Sequence, residues 1–140
     1  MQLLLIYSSF IILVLVGVLH FYWVLGGKWG IRAALPEKIE GETVFKPRWI
    51  ETLIVAFGLI GVAFILLAQN NLLPFFTSNS FTKWSSIIFT FIFLLRAMGD
   101  FKYLGFTKKI KNTNFAKYDT QLYSPLCIYL GITFLSSWLF

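Results

Sequence analysis

Charge is missing from long stretches of this chain, and the lengths of those stretches constrain the fold more than any other feature. No Asp, Glu, Lys or Arg occurs in positions 1–27, 52–82 or 120–140, and a fourth charge-free stretch covers 84–95. A helix rises 1.5 Å per residue, so about 20 apolar residues cross roughly 30 Å of hydrocarbon. The expected spans are therefore about 3–25, 49–68, 84–103 and 120–140. A secretory signal is a poorer reading of the first, which has no basic start, is too long, and lacks a small-x-small cleavage site.

Composition agrees. Hydrophobic residues make up 58% of the 140 and charged residues 13%, against roughly 45–50% and about 25% in an ordinary soluble domain. A soluble fold of this size leaves about a third of its potential surface wet, too much to hide these side chains. Disorder is excluded, and so is a disulfide-stapled secreted module, since there is one cysteine. Apolar segments of about 20 residues favour helices over buried strands. The expected fold is all-α, an integral membrane four-helix bundle forming a single transmembrane domain over 1–140.

The third and fourth spans are less clean. Extending the third to Tyr103 draws Arg96, Asp100 and Lys102 into the helix. In the fourth, either Ser124 caps a short helix with Pro125 at its first position, or Asp119 caps a longer one with a bend.

Lys and Arg accumulate in cytoplasmic loops. The first loop carries Lys28, Arg32, Lys38, Lys46 and Arg48, and the third carries Lys102, Lys108, Lys109, Lys111 and Lys117, with Arg96 adjoining. The other side has only Lys83. This asymmetry places both termini outside the cytoplasm. It also accounts for the net charge of +6 without nucleic acid. The stretch 101–117 alternates aromatics with lysines, which suits the inner membrane surface. Lys108, Lys109 and Lys111 would face anionic lipid headgroups there, at about 1 kcal/mol each.

Ionisable groups inside a span are costly and usually face the bundle interior with a partner. His20 lies about 26 Å along the first helix, near its inner end. Glu51 opens the second helix at that level, Arg96 and Asp100 end the third, and Asp119 opens the fourth. Arg96 and Asp100 are four residues apart on one helical face, where an ion pair is expected. Glu51 and Asp119 sit near helix N-termini, where the backbone dipole favours anions. Trp23 and Tyr123 join the layer. The candidate ligand-binding set is thus His20, Trp23, Glu51, Arg96, Asp100, Asp119 and Tyr123, at the cytoplasmic rim. The bland alternative is that such residues cap helices, pair structurally or mark the interface.

No cofactor or metal site is expected. One histidine cannot ligate haem twice and falls short of a usual zinc set. The run Gly26-Gly27-Lys28-Trp29-Gly30 lacks the Walker spacing and a preceding strand. Gly58 and Gly61 miss the four-residue spacing of small-residue helix contacts.

Three blocks carry a family resemblance: the run 20–30 (HFYWVLGGKWG), the run 95–106 (LRAMGDFKYLGF) and the run 115–126 (FAKYDTQLYSPL). Together they resemble a family of small bacterial inner-membrane proteins, domain of unknown function 3995. The resemblance covers nearly the whole chain. It implies a four-helix bacterial membrane protein and implies no reaction, and its motifs include His20, Arg96, Asp100 and Asp119.

Three functional readings follow. The first is binding or transport of a small polar molecule or lipid headgroup at the cytoplasmic rim, with Arg96 contacting an anionic group. The second is an intramembrane isomerase or transferase on a lipid-like substrate, with His20 as acid or base and a carboxylate orienting it. The third is a structural or regulatory subunit. Four helices enclose little pore unless chains associate, so a homo-oligomer is an open option.

Overall fold

All four apolar stretches are helical in the computed structural model, which describes residues 1–140. The long helices are α1 (Gln2–Val24), α3 (Trp49–Gln69), α4 (Ser80–Met98) and α6 (Ser124–Leu139). Two short helices lie at the basic end: α2 (Ile31–Ala34) and α5 (Asn114–Tyr118), the latter continuous with α6 through a π-helical turn (Asp119–Tyr123). Hydrocarbon offers no partners for backbone N–H and C=O groups, so an apolar run of this length satisfies them internally as a helix. The four spans contain 23, 21, 19 and 26 residues, or about 29–39 Å of helix. This is a multi-pass membrane protein.

The helices form two antiparallel hairpins, α1 with α3 and α4 with α6, joined through α3–α4, α1–α6 and α3–α6 contacts. Close approach within each hairpin depends on a residue without a side chain. A Cβ on Gly17 would lie 2.8 Å from Ile60 Cδ1 and 3.3 Å from the Ala56 carbonyl oxygen, and one on Gly131 would lie 2.8 Å from Leu94 Cδ2. Gly58 and Gly61 face open space. Where the hairpins meet, Ile6, Leu13, Leu66, Leu130 and Phe134 form the core, with Phe89 and Phe93 each 5.7 Å from the Phe134 ring. Only 26 of 140 residues are buried, and exposed large apolar side chains such as Leu15, Phe57, Phe91 and Ile132 cover the outside of the helices, as contact with lipid requires.

Hydroxyl and amide groups stitch the interior. Ser9 donates to Thr133 at 2.9 Å, Ser8 meets Tyr129 at 2.6 Å, Thr82 donates to Gln69 at 2.7 Å, and Trp138 donates to Thr90 at 3.3 Å. Such bonds average about 0.6 kcal/mol each in membranes, so they set helix register more than they hold the bundle together.

Two helix limits differ from expectation. The third span begins at Ser80 because the Asn79 side chain accepts from the Phe81 and Thr82 N–H groups while Thr82 caps Asn79 in return. It ends at Met98, where Gly99 takes φ +89°, so Asp100, Lys102 and Tyr103 lie outside it. The fourth helix starts upstream of both alternatives, with Thr113 as its cap and Asp119 inside it. The π turn takes up the proline. Pro125 has no N–H to donate, and its ring would crowd the carbonyl four residues back. Widening the preceding turn, with the Ser124 N–H reaching the Asp119 carbonyl, carries the helix past that point.

Candidate functional site

The basic end is organised around Asp119, which the π turn carries into the protein with 0% exposure. Its Oδ1 accepts from Arg96 Nη2 at 2.8 Å. Its Oδ2 accepts from Lys108 Nζ at 3.0 Å and from the Gly105 N–H at 2.7 Å. Lys108 also donates to the Gly105 carbonyl at 2.9 Å and to the Thr120 hydroxyl. One carboxylate thus joins α4, the loop after it and α6. With two cations on one anion the cluster carries a net +1, and Arg96 Nη1 is buried without a partner. Arg96 itself is part-exposed, with 28% of its side chain accessible.

The loop 99–107 presents the Gly105 N–H to Asp119. Gly99 and Gly105 both have positive φ, +89° and +77°. Each meets the other strand of the loop at backbone distance, so a Cβ on either would collide with main-chain atoms of Leu104 or Met98. Phe106 donates back to Ala97 at 3.0 Å and Thr107 to Met98 at 3.4 Å. Asp100 Oδ1 accepts from the N–H groups of Lys102, Tyr103 and Leu104 at 2.7–2.9 Å. Partial desolvation pushes its carboxyl up, but these backbone donors prevail and hold it below its ordinary value of 3.8.

Two expectations are corrected here. Arg96 pairs with Asp119 rather than Asp100, because α4 stops at Met98 and Asp100 does not share its face. Lys108 does not face lipid headgroups: it is 3% exposed and holds Asp119. Lys109 and Lys111 are exposed.

None of the other candidates bonds to this cluster. His20 Nδ1 bonds the Val16 carbonyl at 2.7 Å, and its ring meets Trp23 edge-on at 4.8 Å. No carboxylate orients it. Trp23 donates to the Trp29 carbonyl at 2.8 Å and so orders the turn after α1. Glu51 is exposed and caps α3 by accepting the Arg48 N–H at 2.9 Å. Tyr123 donates to the Ala33 carbonyl at 2.9 Å, fastening the first loop to the fourth helix. No three His, Cys, Asp or Glu side chains gather to hold a metal ion.

A cavity of about 530 Å³ lies at this basic end. Lys28, Arg32, Ala33, Asn114 and Tyr118 line it, with no acid among its lining residues. His20, Arg96, Asp100 and Asp119 are not part of its wall. A second, polar cavity of about 500 Å³ lies at the opposite end, among Gln69, Asn70, Lys83, Ser137 and Trp138. Neither lining follows from the depth of titratable residues. The spacing of Thr82, Ser86 and Thr90, and of Thr133 and Ser137, puts hydroxyls on single helix faces, but of these only Ser137 lines the second cavity. For Lys108 there was no signal, since nothing local separates it from Lys109.

No curated protein and no solved structure matches the chain. Residues 13–134, which take in the second half of α1, all of α3 and α4, most of α6 and the Asp119 cluster, match the family described as "Protein of unknown function (DUF3995)". On a match of that extent, the chain belongs to this family.

Proposed function

We propose that this protein resides in the bacterial cytoplasmic membrane as one transmembrane domain, both termini outside, and binds an anionic lipid headgroup at its cytoplasmic rim. The observation that carries this reading is the acid-free cavity between Lys28 and Arg32. It lies at the end where the cations concentrate, a composition suited to a phosphate group. Lys28 and Arg32 supply the charge, and Asn114 and Tyr118 supply neutral hydrogen-bonding groups. Of the residues singled out from the sequence, Trp23, Tyr123 and the Arg96–Asp119–Lys108 cluster act by positioning. Trp23 orders the turn bearing Lys28, Tyr123 docks the chain beside Arg32, and Asp119 holds α4 and the following loop against α6. His20 lies behind Trp23, with no protein partner on Nε2. Glu51 and Asp100 cap local structure. Exposed Lys109 and Lys111 add general attraction to an anionic leaflet.

Native mass spectrometry from bilayers containing phosphatidylglycerol tests the reading. Wild type should retain the anionic lipid, and Lys28→Ala/Arg32→Ala should lose most of it. Lys46→Ala/Arg48→Ala, which removes two cations outside the cavity, should behave as wild type. Equal retention by both double variants would refute a specific site.

A further inference from the structure

The cavity at the end bearing both termini is unrelated to the basic rim, and its chemistry differs. Gln69, Asn70, Asn71, Ser137 and Trp138 line it, with Lys83 as its one cation. Two of its residues lead inward. Gln69 accepts from Thr82 at 2.7 Å, and Trp138 donates to Thr90 at 3.3 Å. Thr82 and Thr90 lie eight positions apart on α4, two turns on one face, and Ser86 stands midway between them.

Ser86 is 0% exposed and its hydroxyl has no partner. Its neighbours are satisfied: Thr90 donates to the Ser86 carbonyl at 2.8 Å and Thr82 to the Gln69 side-chain oxygen at 2.7 Å. Serine in an apolar helix ordinarily makes that same backward bond, and Ser86 does not. A buried hydroxyl left free, within a column whose other members bond to cavity-lining side chains, points to a guest from that cavity. The column is neutral throughout, so it offers nothing to offset the desolvation of a charge.

We infer that this cleft admits a small uncharged solute bearing hydroxyl or amide groups, which passes between Gln69 and Trp138 to reach Ser86. Gln69 and Asn70 offer both donors and acceptors at the mouth, and Ser86 is the innermost contact.

Iodoacetamide is a neutral amide of suitable size and serves as the probe. With Cys127→Ser as background, Ser86→Cys should be alkylated about tenfold or more faster than Ile88→Cys, because a thiolate forms only where water reaches. Ile88 is 53% exposed on the bundle exterior within the same helix. Addition of excess acetamide should slow the reaction at position 86 and leave unchanged a Thr77→Cys control, which is exposed at the same end but outside the cavity wall. Should Ser86→Cys not fold, Thr82→Cys, one turn nearer the mouth, carries the same expectation. A folded Ser86→Cys protein as unreactive as Ile88→Cys would overturn the inference, as would alkylation that acetamide does not slow.

Discussion

Asp119 is the residue on which the basic end depends. It is fully buried, and each of its oxygens is held by a cation. Removing a buried charge leaves its partners desolvated and unpaired, which costs about 3–5 kcal/mol. Asp119→Asn keeps the shape but loses the charge, so destabilisation near that range is expected in denaturant titrations in mild detergent. Adding Lys108→Met should restore part of the loss, because the buried ammonium goes with its partner. An Asp119→Asn protein as stable as wild type would show that the cluster is not a clamp. The contrast with Glu51 is instructive. Both acids sit at the basic end of the bundle, yet Glu51 bonds only the Arg48 N–H of its own cap, whereas Asp119 ties together segments up to 23 positions apart.

At the scale of elements, the turn after α4 decides where charge goes. Gly99 breaks the helix, Asp100 gathers three N–H groups, and Gly105 brings its own N–H to Asp119. Because the Asp100 carboxyl sits below 3.8 in the folded loop, it contributes stability above that pH. The contribution is lost as pH falls through the folded value. Amides of Lys102, Tyr103 and Leu104 should therefore lose protection from hydrogen exchange as pH drops below about 4. Asp100→Asn, which does not titrate, should remove that step. A step of equal size in the variant would assign the effect to another group. Expecting α4 to continue through Tyr103 was reasonable on length alone. Glycine at positive φ and an aspartate ready to cap overrode it, since a bond network closed within the loop satisfies the backbone as well as another helical turn would.

For the whole molecule, two hairpins meeting edge to edge bring both basic loops to one end, where Tyr123 bonds Ala33. The only Lys or Arg at the other end is Lys83. The positive-inside rule then predicts that reporters fused to either terminus report an extracytoplasmic location. A phosphatase fusion should be active and a fluorescent-protein fusion dark at both ends. The reverse pattern would invert the assignment of the rim as cytoplasmic and move the proposed headgroup site to the outer leaflet.

Four crossings, their approximate limits and the segregation of cations were legible in the chain itself, because each depends on properties summed over about 20 neighbouring residues. The level at which Arg96, Asp119 and Tyr123 stand was legible too, from the rise of a helix. Partnership was not. That Arg96 meets Asp119 instead of Asp100, that Lys108 is buried while Lys109 is exposed, and that Ser86 is left without a bond depend on which helix faces oppose each other. They depend also on where a glycine turns the chain. Those are contacts between segments distant in sequence, and only their packing into one bundle selects among the pairs that local spacing allows.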